Sequence, residues 1–417
     1  MKNILLIFLI IITFCACTPK QQRSDKIELE FWTLQLSNYK DYINSLISEY
    51  ESKHPDVKIK WLDVPFKEGE KRALASAMSN NVPDLINLNP TFSSTLASKK
   101  ALINFNNYLT EEQKKQYLPA AYEACSLGDF AFGIPWYITS SITIYNKTDL
   151  KAAGFNEPPS DFDSLIMQSK VIKQKLNHYA YLPTLADGDY FLKILVKNNV
   201  RIISGSKTPE AIFDSIEATN TLTTWIDLYN NDYISPESIV SSHREAVDKF
   251  QSGAITFILI GPNFLKTIKD NSPKLYENIN VSPQIVGKSK KVDFSVMNFV
   301  VPIKSKHKEQ AVDFALFITD AKNQLNFSKL TPTLPSNVDA LGDKFFTVPK
   351  NDSLEEKARI ISARQLLNGA QALPVLRNQQ ELISILNFYI QKAFLKKLSA
   401  SDALKEACKK WNDILGG

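Results

Sequence analysis

Apolar segments of period two alternate with segments of helical spacing along the first part of the chain, and that alternation narrows the fold more than any other feature. Ile27, Leu29 and Phe31 alternate with Glu28, Glu30 and Trp32, which marks a strand. Tyr39, Tyr42, Ile43, Leu46, Ile47 and Tyr50 then fall at helical spacing, with Ser37 or Asn38 placed to cap the helix. Val57, Ile59 and Trp61 alternate again. A helical pattern follows over residues 73–78, and Leu85, Ile86, Asn87 and Leu88 form a short strand after Pro83-Asp84. Strand, helix, strand, helix, strand predicts right-handed crossovers and a mostly parallel sheet with helices on both faces.

The middle of the chain repeats the theme. Ile142, Ile144 and Tyr145 suit a strand, and residues 161–175 read as a helix after the turn signal Pro158-Pro159-Ser160. Residues 254–260 (AITFILI) are continuously apolar, as in a strand covered on both faces, and Gly261-Pro262 stops them. Residues 294–301 are another strand. From 379 to 415 the pattern is helical, with a break near Ser399. The expected class is α/β, in two lobes with a helical C-terminal part, because this length exceeds what one core usually supports.

The N-terminus predicts export. Lys2 precedes an apolar run over residues 4–14, too short to span a bilayer, and then Cys15-Ala16-Cys17. The run and the small Ala16 resemble a bacterial lipoprotein signal, which implies cleavage after residue 16 and acylation of Cys17. Phe14 departs from the usual aliphatic, and it makes Cys15 the poorer site. Residues 18–26 (TPKQQRSDK) read as a polar tether. The net charge of +5 is spread along the chain, so no basic patch speaks for nucleic acid. Cys125 and Cys408 are either two buried thiols or one disulfide.

Beyond these readings, an ordered set of motifs resembles one family. Gly133-Ile134-Pro135-Trp136-Tyr137, Ile144-Tyr145-Asn146-Lys147, Ala153-Gly154-Phe155 and Pro158-Pro159 look like the central signature of ABC-transporter extracellular solute-binding proteins, in the carbohydrate-binding, maltose-binding-protein-like group. Pro83-Asp84-Leu85-Ile86, Phe250-Gln251-Ser252-Gly253, Ile260-Gly261-Pro262, Ala311-Val312-Asp313-Phe314 and Leu334-Pro335-Ser336 agree in order. The resemblance implies a periplasmic-binding-protein clamshell with three interlobe crossings, near residues 137–141, 279–293 and 331–336. Residues 27–138 and 285–332 would form the N-terminal lobe, and 139–284 and 333–417 the C-terminal lobe. It implies a monomer, anchored by lipid, that captures a sugar or oligosaccharide and delivers it to an ABC permease, with no cofactor and no metal; the alternative is a non-sugar solute of polyol or glycerol-phosphate type.

Sugar recognition needs flat apolar faces and polar forks. Gln35 follows the first strand. Asn89 and Phe92 lie in the loop after the Pro83-Asp84 strand. Trp136 and Tyr137 stand at the first crossing, the position nearest the cleft in the family. Asp187 and Tyr190 align with a loop that brings an acid and a stacking aromatic. Asn263 stands where the family often has a stacking Trp, and Arg377 lies in a segment that can lean over the cleft. Thr139 replaces a sugar-binding acid, which argues against maltodextrin. Trp32 suits either cleft wall or core, while Trp225 and Trp411 read as core.

The competing class is a secreted hydrolase. The zinc motif H-E-x-x-H and the G-x-S-x-G elbow are absent from the sequence, and His54, His178, His243 and His307 are isolated. Gly287-Lys288-Ser289 mimics the end of a phosphate-binding loop without its upstream Gly. Scattered carboxylates leave glycoside cleavage open.

Overall fold

A computed structural model describes residues 26–416, apart from residue 80, residues 206–208, residues 370–372 and residue 374. The predicted signal and Cys17 lie outside the described residues. In chain order the strands are β1 (Ile27–Leu34), β2 (Val57–Val64), β3 (Leu85–Leu88), the hairpin β4 (Ser126–Leu127) and β5 (Phe130–Ala131), β6 (Ile134–Thr139), β7 (Ile142–Asn146), the hairpin β8 (Ile203–Ser204) and β9 (Glu210–Ala211), β10 (Phe257–Ile260), β11 (Ile279–Ser282), β12 (Ser295–Val300) and β13 (Leu334–Pro335).

The first lobe is built on a six-stranded sheet in the order β13-β6-β12-β3-β1-β2. β1 runs parallel to β2 and β3, whereas β12 runs antiparallel to both β3 and β6. Alternation decides which face each side chain joins. Leu85 and Phe299 go to the apolar cluster on one face, with Phe31 and Phe314; Ile86 and Val300 go to the other, with Leu34 and Val64. β3 is buried along its whole length, as a central strand covered on both faces must be.

β6 departs from simple alternation. Its register against β12 shifts, with Met297 opposite Tyr137 and Asn298 opposite Pro135. The extra residue switches the faces downstream: Ile134 and Trp136 join one cluster and Ile138 the other. Gly133, from the signature, is needed for close packing here. A Cβ at Gly133 would collide with the Asn298 side chain and lie 2.9 Å from the Phe299 carbonyl oxygen.

The predicted mostly parallel arrangement holds only for the β1 pairings of the first lobe, and the second lobe departs from it altogether. Its sheet has three strands, β10-β7-β11, and both pairings are antiparallel. Helices supply most of its core. Phe162–Leu176, Tyr190–Lys197, Ile216–Asn230, Gln379–Phe394 and Ala400–Leu415 pack around Trp225 and Trp411, which are buried as expected. The break near Ser399 is a helix cap: its side chain accepts from the Asp402 N–H at 3.0 Å.

The chain passes between the sheets at Ser140–Ser141, where β6 gives way to β7, and again between β11 and β12. The third passage is later than residues 331–336. β13 pairs with β6, and Leu341 and Phe346 bury themselves in the first lobe. The chain reaches the second sheet only with the helix Leu354–Gly369, which packs on β11 and β7. Residues 333–346 therefore belong to the first lobe, because β6 offers an unpaired edge that Leu334–Pro335 closes. Cys125 and Cys408 are free buried thiols, one in each lobe.

Candidate functional site

Three loops leave the C-terminal ends of β1, β2 and β3, where open α/β sheets present ligand sites. Asp63, near the end of β2, organises the first. Its carboxylate accepts from the Thr33 hydroxyl at 2.7 Å, the Leu36 N–H at 2.9 Å and the Ser37 N–H at 2.8 Å. These bonds take the place of the Ser37 or Asn38 side-chain cap, which the helix Lys40–Lys53 lacks. Gln35, between them, is exposed and has φ 55°, in the left-handed region.

Asn89 follows β3 and caps the helix Pro90–Ser98. Its Oδ1 accepts from the Phe92 N–H at 3.0 Å. Ser93, one residue on, exchanges hydrogen bonds with the buried Asn298 amide at 3.1 and 3.2 Å. The cap and this pair fix the loop to the sheet. The half-buried Phe92 ring lies 6.3 Å from that of Phe66.

The loop holding Asp187 faces them from the second lobe. Asp187 Oδ2 accepts from the His243 N–H at 2.9 Å, at the start of the helix His243–Gln251. Burial holds the His243 imidazole below its ordinary value, against the pull of Asp187. Gly188 has φ 52°, so a side chain there would strain the turn. Asn387, on the helix Gln379–Phe394, donates to the carbonyls of Ala186 at 3.2 Å and Gly188 at 2.8 Å.

Asn89, Thr91 and Phe92 thus meet Ala186, Gly188 and the Gln380, Ile383, Ser384 and Asn387 side of that helix around a hollow of about 410 Å³. None of these lining residues is charged. A second hollow, of about 470 Å³, lies beside the hinge and is lined by Tyr39, Ser140, Asn263, Ser328, Arg359 and Ser362 among others.

Hydrogen bonds lock the crossings between the hollows. Gln365 Nε2 donates to Ser140 Oγ at 2.7 Å and to the Ser141 carbonyl at 2.8 Å, and Gln365 Oε1 accepts from the Gln284 N–H at 3.0 Å. Asp293, just before β12, pairs with Lys197 at 2.6 Å and Lys193 at 3.7 Å. Lys193 also reaches Asp189, in the Asp187 loop, at 3.0 Å. Burial alone would raise the Asp293 carboxyl; the two ammonium groups reverse that and hold it at about 2.

The expected site residues divide. Asn89 and Phe92 line the first hollow, and Asn263, exposed, lines the second. Trp136 is corrected: it is 1% exposed, with its ring stacked on Phe299 at 4.6 Å and Phe327 at 4.9 Å. Both of its faces are used, so it is core and offers nothing to a cleft. Tyr137 is half-buried against Phe327, and burial raises its hydroxyl well above the ordinary value. The Asp187 carboxylate serves the His243 backbone, and Tyr190 packs on the second-lobe core. Gln35 and Arg377 are exposed and line neither hollow. Sequence reasoning missed Asp63, Gln380, Ser384 and Asn387. The last three recur at positions i, i+4 and i+7, a polar stripe legible on one helix face.

Comparison with known proteins agrees with this architecture. The profile of the bacterial extracellular solute-binding protein family matches residues 36–325. The "putative oligosaccharide periplasmic-binding protein" of Synechococcus sp. MITs9220 superposes with a TM-score of 0.83 at 28% identity, covering 93% of this chain and 99% of its own. The cyclic alpha-maltosyl-1,6-maltose binding protein of Arthrobacter globiformis gives 0.79 at 20% identity, covering 94% and 99%. A "putative binding protein" of Brucella abortus is 21% identical over 393 residues, 90% of each chain. With a family match over most of its length and two lobes around a lined cleft, the chain belongs to the bacterial extracellular solute-binding proteins.

Proposed function

We propose that the protein captures a sugar or oligosaccharide between its lobes and delivers it to an ABC permease, without chemistry. The observation that carries this is the lining of the first hollow. Amides and hydroxyls from both lobes converge there with Phe92 and Ile383, and no charged side chain lines it. Hydroxyls pair with such groups in both directions, and apolar faces take the C–H side of a ring. The same lining favours a neutral ligand over a glycerol-phosphate type. The likeness to relatives named for oligosaccharide and maltosyl ligands supports the class. Asn89 and Phe92 are the proposed contacts from the first lobe, and Gln380, Ser384 and Asn387 those from the second. The apolar run ending in Ala16-Cys17 supports export and acylation of Cys17.

A ligand that bridges both sides favours the closed arrangement by its differential free energy for that state. Calorimetry with a panel of neutral oligosaccharides, maltotetraose serving as the maltodextrin that Thr139 disfavours, paired with small-angle scattering, tests this. Asn89→Ala is expected to weaken binding about tenfold, through the lost contact and loosened cap. Unchanged affinity in that variant, together with an unchanged radius of gyration at saturation, contradicts the reading.

A further inference from the structure

The end of the first-lobe sheet opposite the cleft gathers positive charge. The cleft loops leave the C-terminal ends of β1, β2 and β3, so the N-terminal ends of these parallel strands form the base of the lobe. β12 runs antiparallel to β3, with Val300 opposite Ile86, and so delivers residues 302–308 to that base. The helix Pro90–Ser98 starts beside the cleft and runs back, delivering Lys99 and Lys100 to it. The two segments meet there: the Ile303 N–H donates to the Ala101 carbonyl at 2.8 Å, and Leu102 pairs antiparallel with Pro302. Lysines that lie far apart in the sequence are thereby brought side by side. Lys99, Lys100, Lys304 and Lys306 are exposed, and Lys308 is half-buried.

Among the described residues, no ion pair includes any of these five lysines. Lys304 and Lys308 place their ammonium groups on the carbonyl oxygens of Ser79 and Ser305, each at 2.8 Å. The carboxylate beneath the loop, Asp84, is buried and already engaged. It accepts from the Ser305 hydroxyl at 2.6 Å and from the Glu30 N–H at 3.0 Å. Glu309 is the one exposed carboxylate over residues 302–309. Ile303 stands among the lysines with 46% of its surface exposed. The Asp84 bonds also tie this loop to β1, three residues from Ile27 and so roughly 10 Å along the strand. The chain leading from Cys17 therefore enters the fold at this base.

We propose that this base is a docking surface for an anionic phospholipid membrane, on which the protein rests with its cleft turned away from the lipid. Each exposed ammonium group near such a surface strengthens partitioning about fivefold. Ile303 adds an apolar side chain, which a lipid interface accommodates and a polar polyanion does not. The stretch from Cys17 to Ile27 spans at most about 35 Å when fully extended, so an acylated Cys17 would keep the base close to the lipid. Acylation belongs to the reading above; the patch acts without it. Neither depends on what the cleft binds, because the cleft lies at the other end of the sheet.

The test uses residues 18–417, which keep every strand and helix of both lobes and carry no acyl chain. The protein should co-sediment with vesicles of equal parts phosphatidylglycerol and phosphatidylcholine, and not with pure phosphatidylcholine. Binding should vanish at about 1 M salt, where the screening length falls to about 3 Å. The variant Lys99→Gln/Lys100→Gln/Lys304→Gln/Lys306→Gln is expected to bind the anionic vesicles at least about a hundredfold more weakly, with its melting temperature unchanged. Lys396→Gln/Lys397→Gln/Lys405→Gln/Lys409→Gln removes the same charge from exposed positions of the second lobe, and should bind as the wild type does. Ile303→Ser should lose about fivefold on the vesicles and nothing on heparin, a polyanion without an apolar phase. If the first variant does not fold, Lys100→Gln/Lys306→Gln takes its place, with an expected loss of about twentyfold. The proposal is overturned if the anionic vesicles do not bind, if pure phosphatidylcholine binds equally well, or if the second-lobe variant weakens binding as much as the first, which would make net charge the cause. It is also overturned if Ile303→Ser binds the vesicles as the wild type does while heparin binds more tightly than they do; the partner is then an acidic polymer.

Discussion

The two walls of the Asn89 cleft are held by different means. On the first-lobe wall, the Asn89 loop follows β3 of a six-stranded sheet and is pinned to it by the Asn89 cap and by the Ser93–Asn298 pair. On the second-lobe wall, no strand ends at the hollow among the described residues. The Asp187 loop is held by one backbone bond to a neighbouring segment, Leu185 N–H to the Ser238 carbonyl at 2.9 Å, and by side-chain bonds from Asn387 to its carbonyls and from Asp187 to His243. A sheet edge constrains a loop through many cooperative bonds, whereas a few isolated bonds leave it low in local stability. The first wall is therefore a fixed template, and the second is the adjustable one. Asp189 makes this matter for the hinge, because its partner Lys193 also touches Asp293 of the second crossing.

The largest effect tests the fixed wall. Trp136→Ala is expected to lower stability by about 3–5 kcal/mol in urea unfolding, as removal of a fully packed indole does. The folded fraction should bind ligand normally. A variant of full stability with lost affinity would return Trp136 to the cleft and break the comparison.

Asp293→Asn comes next. It leaves Lys197 facing no carboxylate in a buried setting, while Lys193 keeps Asp189, at a cost of about 3 kcal/mol. The wild-type contribution has a defined sign. The folded carboxyl sits at about 2, below its ordinary 3.8, so the stabilisation is present above about pH 4 and is lost as pH falls toward 2. Unfolding free energies measured between pH 2 and 6 should fall with acid in the wild type and flatten in the variant. Parallel curves would show that another group governs the acid limb.

Asn387→Ala should have the smallest effect on stability, about 1 kcal/mol, since it removes two bonds from a partly exposed amide. Its readout is local. Hydrogen exchange over residues 184–190 should quicken while residues 85–98 stay protected. Equal quickening on both walls would contradict the distinction between them.

Much of this molecule follows from sequence pattern. The period-two segments of β1 and β2, the apolar β10, the helices and the Ser399 break are short-range consequences of side-chain alternation, spacing and caps, so local residues determine them. The family resemblance implied passages near where β6 gives way to β7 and β11 to β12, and it drew attention to the loop after β3 that holds Asn89 and Phe92. The tertiary structure decided the rest. An extra residue in β6 turned the side chains after Trp136 to the other face, and a bulge leaves no mark in composition. The edge of β6 drew Leu334–Pro335 into the first sheet and moved the third passage to residues 347–353. Asp63 and Asn387 acquired their roles only when backbone N–H groups and carbonyls came within 3.2 Å of them. Pattern fixes what a residue can do alone; which atoms it meets depends on register and on contacts hundreds of residues apart, and those exist only in the folded chain.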